Sequence, residues 1–369
     1  MTKQRNINLD LIRTLAIFFV ILVHATEIVY SLKTNDWMFK YGTYTWDKIS
    51  YQSSVFMITL FTIGRLGVPL FLFLTGSLII SKKFDDDKDV LTFYKKNLIP
   101  LVIVNTVWIF IYNIVMVLNK NMDSFNIGYV LQESLLLMKI PIAHMWYFPM
   151  ILGLYLVLPF ISKVLKSFSK KSINIVLIVI FLYLFMVPMI NTIMSLYDKH
   201  FYFEPIINLS FFGGVYGLYA IIGYLIYSNN KDRFNNRLKV LFGIVSLLLT
   251  ILIQIYSYAS NHGYNVWYNF PFLLICSSCL FILLLKLDLS KFSNIFKRFI
   301  TYTSRVSLGM FFIHIIILFF LNEYMFTLNI MLPLKVIILY LVTLILTYLV
   351  IFVLSKIKFI SKYVLLIKN

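Results

Sequence analysis

Long apolar stretches separated by short polar segments run along the whole chain. Each stretch holds about 20 residues, the length that an α-helix needs to cross the hydrocarbon core of a bilayer. Strands of a membrane barrel would alternate apolar and polar residues, and these stretches do not. The pattern therefore predicts an all-α polytopic membrane protein with about ten transmembrane helices, at residues 9–31, 54–80, 97–118, 145–162, 173–194, 209–228, 238–258, 267–285, 304–322 and 333–355.

The basic residues indicate how these spans are oriented. Lys and Arg number 33 against 15 Asp and Glu, which gives a formal net charge of +18. With the N-terminus in the cytoplasm, 24 of the 33 fall on the cytoplasmic side and 7 on the outer side, as the positive-inside rule requires. The other two, Arg13 and Arg65, lie within spans. We therefore expect both termini in the cytoplasm.

Composition excludes several other classes of protein. Hydrophobic residues make up 60% of the chain and charged residues 13%, half the charged fraction of an average soluble domain. Two cysteines are too few for a secreted disulfide scaffold. The basic residues lie between apolar stretches and not on a soluble face, so we expect no nucleic-acid partner. Cys276 and Cys279 lie in an apolar span without a further thiol, so we expect inert cysteines and no metal site.

The chain reads as one membrane domain that keeps its first span. Lys3 and Arg5 precede that span as in a signal peptide, but no small-residue cleavage site follows. No long linker and no internal repeat is visible. We expect a single transmembrane domain over residues 1–369, with no appended soluble domain.

Ionisable residues within spans are costly, and they are therefore candidates for function. Arg13 and His24 are eleven residues apart on the first helix, which puts them on one face and about 16 Å apart along the axis. Asp10 and Glu27 extend the same face at either end. This stripe predicts either a functional polar seam or a buried structural network with snorkelling ends.

The second span contains GRLGVPLFLFLTG, residues 64–76. Gly64 and Gly67 permit close helix approach, and Pro69 removes a backbone hydrogen bond. A broken helix beside a charge is typical of a substrate or ion site. The alternative is that Arg65 caps carbonyl groups that the break exposes.

Two further stretches carry histidine. AHMWYFP, residues 143–149, holds His144, Trp146 and Tyr147 at the outer start of the fourth helix, where an aromatic belt is the alternative to a binding site. In the ninth helix, Ser307 lies seven residues before His314 and on the same face. A buried histidine bonded to a carbonyl is the alternative there.

Several of these stretches resemble the acyltransferase-3 family of integral-membrane acyltransferases. The similar segments follow the family's order over nearly the whole chain: NLDLIRTLAIFFVILVH (8–24), RLGVPLFLFLTG (65–76), FYKKNLIPL (93–101), HMWYFPMILGLYLVLP (144–159), FFGGVYGLYAIIGYLIY (211–227) and SRVSLGMFFIH (304–314). The most specific part is L-D-x-x-R followed by R-x10-H, here Asp10, Arg13 and His24. Family members have about ten helices with both ends in the cytoplasm, which agrees with the count made from hydropathy and charge.

The resemblance implies transfer of an acyl group, usually acetyl, from cytoplasmic acyl-CoA to a hydroxyl of a cell-surface polysaccharide or its lipid-linked precursor. Acyl-CoA is then a co-substrate, and no cofactor is bound. Some members carry an appended extracytoplasmic esterase-like domain, whereas this chain ends soon after its tenth span. We expect any such partner to be a separate protein or to be unnecessary. Asn97 also stands where family members often have Arg. The expected location is the cell membrane of a bacterium.

These residues suggest a mechanism. Arg13, with Lys95 and Lys96, would hold the phosphates of acyl-CoA near the cytoplasmic mouth. His24 would act as general base or transient acyl carrier, oriented by Glu27. Arg65 would stabilise the oxyanion, and Asp10 would pair with Arg13. The remaining candidates are expected to bind substrate: His144, Trp146, Tyr147, Ser307 and His314.

A different class of function stays open at this stage. A non-enzymatic polysaccharide exporter or flippase would also contain broken helices and intramembrane charge. Such a transporter would need no acyl donor. Transporters often contain paired inverted halves, and none is visible in this sequence.

Overall fold

The computed structural model describes residues 5–30, 49–118, 124–140, 142–197, 202–229, 235–260 and 267–367. Within these ranges the chain forms α-helices joined by short turns and contains no strand. The helices are α1 (Ile7–Tyr30), α2 (Tyr51–Gly64), α3 (Gly67–Ile79), α4 (Asp87–Phe93), α5 (Ile99–Leu118), α6 (Ile127–Ser134), α7 (Tyr147–Ser167), α8 (Lys170–Phe181), α9 (Val187–Leu196), α10 (Gly214–Ser228), α11 (Asn236–Ala259), α12 (Pro271–Leu285), α13 (Asn294–Thr327) and α14 (Leu332–Leu354).

The helices confirm an all-α polytopic membrane protein. Among the described residues, eight helical runs are long and apolar enough to cross a membrane, namely Ile7–Tyr30, Tyr51–Ile79, Asp87–Leu118, His144–Ser167, Lys170–Leu196, Asn236–Ala259, Asn294–Asn322 and Leu332–Leu354. Two shorter apolar helices, Gly214–Ser228 and Pro271–Leu285, complete the set. Each of the ten predicted spans therefore coincides with an apolar helix. The cytoplasmic placement of both termini stays a prediction from the charge bias.

Two boundaries differ from the prediction. α13 begins at Asn294 and not at 304, because its polar first turns, with Lys297 and Arg298, continue the helix beyond the apolar window. The span predicted from 209 becomes α-helical only at Gly214. Gly213 and Gly214 adopt φ of 79° and 56°, a left-handed conformation that glycine accepts readily. A short turn of 3-10 helix, Ser210–Phe212, precedes them.

The chain packs as two compact units. The first contains the described residues of Met1–Thr26, Thr45–Asp85 and Val157–Ser304, and the second those of Glu27–Tyr44, Asp86–Leu156 and Arg305–Asn369. α1, α7 and α13 each contribute one part to either unit. The candidate residues are therefore divided between two separately packed groups of helices.

In the first unit, two glycines allow α3 and α10 to pack with their backbones in contact. A methyl group on Gly76 would overlap the backbone of Ala220, and one on Gly223 would overlap the backbone of Phe73. At this crossing the Ser77 hydroxyl donates to the Gly223 carbonyl at 2.9 Å. Small residues drive helix association in membranes because they permit such close van der Waals and polar contact.

The break in the second span packs against α1. The helix is interrupted at Arg65 and Leu66, between α2 and α3. A Cβ atom on Gly64 would lie 2.8 Å from Val23, and one on Gly67 would lie 2.7 Å from the Ala16 carbonyl oxygen. The predicted broken helix and its close glycine contacts are therefore both present, and they lie along α1 just before His24.

In the second unit, the indole of Trp108 on α5 contacts two other segments. The Trp108 ring stacks on Phe312 of α13 with centroids 4.8 Å apart. Its Nε1 donates to the Val364 carbonyl at 2.9 Å, so the indole satisfies its polar group while it buries its rings. This contact fastens the segment after α14 to α5.

The glycine crossing gives a stability prediction. Gly76→Ala should lower the free energy of unfolding by about 1–3 kcal/mol, because the added methyl forces α3 and α10 apart. Gly153→Ala on α7 is the matched control, since a Cβ there meets nothing within 4 Å. It should be neutral or stabilise by up to about 1 kcal/mol through helix propensity. Unfolding of the purified protein in detergent measures both, and equal effects would refute the close crossing.

Candidate functional site

A chain of hydrogen bonds joins the start of α1 to α13 within the first unit. Arg5 donates to Asp10 through Nε at 2.6 Å and Nη2 at 2.9 Å. Ser304 donates to the same carboxylate at 2.7 Å, and Arg13 Nη1 donates to the Ser304 hydroxyl at 3.2 Å. Two guanidinium groups and one carboxylate therefore meet beside one serine.

The structure pairs Asp10 directly with Arg5, whereas the sequence suggested Arg13 as its partner. Arg5 precedes α1, and its planar guanidinium donates to both carboxylate oxygens of Asp10. Arg13 reaches the carboxylate through the Ser304 hydroxyl, which donates to Asp10 and accepts from Arg13. The hydrogen bonds from Arg5 to Asp10 also raise the pKa of the Arg5 guanidinium. Asp10 thus serves as the fixed anchor of the cluster.

α1 continues from this cluster without interruption to Tyr30 and contains neither Pro nor Gly. Arg13 and His24 are both half-buried, and they share one face of the helix at an axial separation of about 16 Å. Glu27, one turn beyond His24, is buried at 2% exposure. The residues of the predicted polar seam therefore lie on one uninterrupted helix.

Arg65 lies at the break between α2 and α3 with its guanidinium among aromatic rings. Its Cζ is 4.6 Å from the Phe61 ring centroid, 4.5 Å from that of Trp267 and 5.2 Å from that of Tyr268. Nη1 also donates to the Tyr268 hydroxyl at 3.2 Å. Aromatic faces attract a cation through the ring quadrupole. The break therefore holds a buried guanidinium group, with the residue 5% exposed.

The first unit brings the Arg65 segment close to the His24 segment. Gly64, the residue before Arg65, packs on Val23, the residue before His24. Asp10, Arg13, His24 and Arg65 all belong to this unit. It thus contains a general-base candidate, two intramembrane cations and an anchoring carboxylate.

In the second unit, His144 is held by a tyrosine. The Tyr112 hydroxyl donates to the Phe312 carbonyl and lies 3.0 Å from His144 Nε2. Because a carbonyl can only accept, the single Tyr112 proton is used there, and Nε2 of His144 must be the donor to the tyrosine oxygen. The neutral His144 ring then carries its lone pair on Nδ1.

His314 lies beside His144, with ring centroids 5.6 Å apart. Its Nδ1 is 2.9 Å from the Met310 carbonyl, so Nδ1 carries the proton and Nε2 has the basic lone pair. Both rings are buried, at 1% and 0% exposure, and Phe311 contacts both. The sequence placed these two histidines in different predicted spans and gave no sign that they meet, whereas the structure brings their rings side by side.

The other candidates of the second unit occupy varied positions. Lys95 and Lys96 are exposed on a turn of π-helix, Tyr94–Leu98, which leads into α5. Trp146 and Tyr147 are half-buried and contact each other, with ring centroids 6.1 Å apart. Ser307 on α13 is buried. Among the candidates of this unit, the structure brings together two residues that are distant along the chain, His144 and His314.

A buried carboxyl group, Glu133, lies eleven positions before His144 along the chain. Asn113 on α5 donates to Glu133 Oε2 on α6 at 2.9 Å. Burial raises the pKa of Glu133, and the hydrogen bond from Asn113 opposes that rise. Within the described ranges, no group of three or more His, Cys, Asp or Glu residues could hold a metal ion.

Comparison of the sequence with models of known protein families shows which family the chain belongs to. The sequence model of the acyltransferase-3 family, described as an acyltransferase domain, matches residues 6–355. The chain belongs to the acyltransferase-3 family. No match was found among curated proteins or solved structures. The matched residues run through both compact units, so the family relationship covers the first-unit cluster and the second-unit histidines alike.

Membership makes this protein a membrane acyltransferase. The sequence did not single out several residues that shape its candidate sites, because each acts on a segment distant along the chain: Ser304, Tyr112, Trp267, Tyr268 and Glu133. The segment SRVS, residues 304–307, contains two serines. The sequence analysis selected Ser307, because of its spacing from His314, and not Ser304. In this acyltransferase, Ser304 contacts the charged cluster.

The tyrosine beside the histidines yields a second prediction. Tyr112→Phe should destabilise the acyltransferase by about 1–3 kcal/mol, because the Phe312 carbonyl and the His144 N–H would lose a buried partner. Tyr94→Phe is the control, since its hydroxyl donates to the Leu156 carbonyl at an exposed site and should cost about 1 kcal/mol or less. Chemical unfolding of both variants measures the difference. Equal losses would contradict the inferred role of Tyr112.

Proposed function

We propose that this acyltransferase moves an acetyl group from cytoplasmic acetyl-CoA to a hydroxyl of a cell-surface polysaccharide or its lipid-linked precursor, in the cell membrane of a bacterium. The observation that carries the proposal is the arrangement on α1. Arg13, anchored through Ser304 to Asp10, shares one face of an uninterrupted helix with His24. This arrangement suits a long donor with an anionic end and a reactive end.

The cytoplasmic end of this arrangement suits phosphate. CoA carries its negative charge on phosphate groups, and guanidinium groups bind phosphate through charge-assisted, forked hydrogen bonds. The bonds through Ser304 hold Arg13 in place before the ligand arrives, which lowers the entropy lost on binding. Lys95 and Lys96 are exposed, and the basic face that the charge bias predicts to be cytoplasmic would attract the donor from solution.

The axial distance of about 16 Å between Arg13 and His24 is similar to the length of an extended pantetheine arm. A donor held at Arg13 would thus bring its thioester towards His24. Neutral His24 would take the proton of the acceptor hydroxyl while the hydroxyl oxygen attacks the thioester carbon. The carbon–sulfur bond then breaks, and the CoA sulfur leaves with the bonding electrons and is protonated. Glu27 would orient the imidazole.

Arg65 is proposed to stabilise the negative charge that develops on the carbonyl oxygen. Its guanidinium is held by ring faces and by the Tyr268 hydroxyl. A cation fixed before the reaction in a dry environment stabilises a developing oxyanion more than a mobile, hydrated one does. The packing of Gly64 on Val23 supports this assignment, since it brings the two segments together.

The second unit is proposed to bind the acceptor. Trp146 and Tyr147 offer half-exposed aromatic faces for a sugar, and His144, His314 and Ser307 offer polar groups. A separate extracytoplasmic transferase is proposed to receive the acetyl group where the final glycan lies outside the membrane.

Membranes that contain the protein, given acetyl-labelled acetyl-CoA, test the overall reaction. We expect label in an alkali-labile ester on glycan, and His24→Ala should reduce it by roughly 10²-fold or more, the usual contribution of a general base or nucleophile. Cys279→Ala, a substitution in an apolar helix of the same unit, should leave it unchanged. Normal labelling by a well-expressed His24→Ala protein would refute the catalytic assignment. Absence of glycan ester with the native protein would refute the reaction.

Arg13 gives a separate prediction about donor binding. Arg13→Ala should raise the KM for acetyl-CoA about tenfold or more, because a hydrogen bond to a charged group contributes about 1.5–3 kcal/mol. Ser304→Ala should raise it less, since the guanidinium remains but loses its anchor. Steady-state kinetics at varied donor concentration measure both. An unchanged KM in Arg13→Ala would exclude a phosphate contact at this residue.

A further inference from the structure

The segment after α14 folds back against α5 within the second unit. Val364 accepts the indole hydrogen bond of Trp108 at 2.9 Å, and the Leu365 side chain is fully buried. Leu365 also packs at Gly309 of α13, where an added Cβ would lie 3.0 Å from Leu365 Cδ2. The backbone then turns at Leu366, which has a φ of 48°. The segment after α14 is therefore packed into the second unit.

Between this segment and the start of α5 lies a cavity of about 560 Å³. Its wall includes two lysines, two serines and two apolar side chains of α5, namely Lys358, Lys362, Ser355, Ser361, Pro100 and Ile103. The volume lies within the range of small-molecule sites, about 300–1,000 Å³. The charge bias of the sequence predicts that this end of the protein faces the cytoplasm.

The wall has the composition of a site for an amphiphile with a phosphate group. The two ammonium groups supply positive charge and several donors each. Lys362 Nζ lies 4.8 Å from the centroid of the Tyr363 ring, a contact that restrains the side chain at the cavity. Ser361 is buried, at 8% exposure, and offers a hydroxyl. Pro100 and Ile103 supply apolar surface on the opposite element.

We propose that this cavity binds the phosphate group of an amphiphilic ligand, with Lys358 and Lys362 contacting the phosphate and Pro100 and Ile103 contacting its apolar portion. Two sources share this chemistry, the CoA moiety of a donor and the headgroup of an anionic phospholipid. The CoA source rests on the proposed function, whereas the lipid source does not. The site lies wholly in the second unit and is separate from Arg13.

Lys356 provides a matched control. It belongs to the same turn after α14, but its Nζ lies 4.6 Å from the centroid of the Phe352 ring, and it is not part of the cavity wall. Lys356→Gln therefore removes one charge from the segment without changing the cavity. Replacement of both cavity lysines by arginine keeps the charge and controls for folding.

The first arm uses the full-length protein in nanodiscs of phosphatidylcholine, with tritiated CoA as the probe. If CoA is the ligand, the double variant Lys358→Gln/Lys362→Gln should weaken CoA binding about tenfold or more, since two charge-assisted contacts are lost. Lys356→Gln should bind within about twofold of the native protein, and the double arginine variant should retain most of its affinity. Raised salt should weaken native binding, because the attraction is screened.

The second arm measures phosphatidylglycerol that co-purifies with each variant from mixed nanodiscs. If the double glutamine variant loses bound phosphatidylglycerol but keeps CoA affinity, the ligand is a lipid; if it loses CoA affinity, the ligand is CoA. Either result supports the site. If both quantities match those of Lys356→Gln, the proposal is wrong. Both arms measure binding alone, so a native protein that binds CoA here but forms no glycan ester would refute only the proposed function.

Discussion

A charge that lies among apolar helices must be matched by groups of the protein, because the hydrocarbon around it offers none. This constraint governs the start of α1. The Asp10 carboxylate accepts three hydrogen bonds, two from Arg5 and one from Ser304. Through that serine it also fixes Arg13. One buried carboxylate therefore links α1 to α13 in the first unit and positions Arg13, the proposed phosphate contact.

Arg65 meets the same constraint differently. Ring faces of Phe61 and Trp267, together with Tyr268, surround its guanidinium. The glycines on either side of the break let this segment pack on α1 next to His24. Aromatic faces stabilise a buried cation, and the proposed role of Arg65 is to stabilise the oxyanion from this fixed position. The fold thus keeps positive charge at both ends of the proposed donor path along α1.

Much of this architecture could be predicted from the sequence. Apolar stretches long enough to cross a bilayer predict helices without further information. The break in the second span was predicted from Gly64, Gly67 and Pro69. Contacts between distant segments could not be predicted. Ser304 meets Asp10 across 294 positions, and Tyr112 meets the Phe312 carbonyl across 200. No local pattern specifies such pairs. Spacing on one helix suggested Arg13 for Asp10, whereas the fold supplied Arg5, whose position before the helix gave no periodic signal.

The central claim is that α1 guides the acyl donor from Arg13 to His24. A structure of the full-length protein with a non-hydrolysable thioether analogue of acetyl-CoA tests it most directly. The account predicts phosphate oxygens within hydrogen-bond distance of Arg13 and the thioether end within about 4 Å of the His24 imidazole, close to the reach that a general base requires. An analogue bound in the protein with its reactive end away from α1 would contradict it.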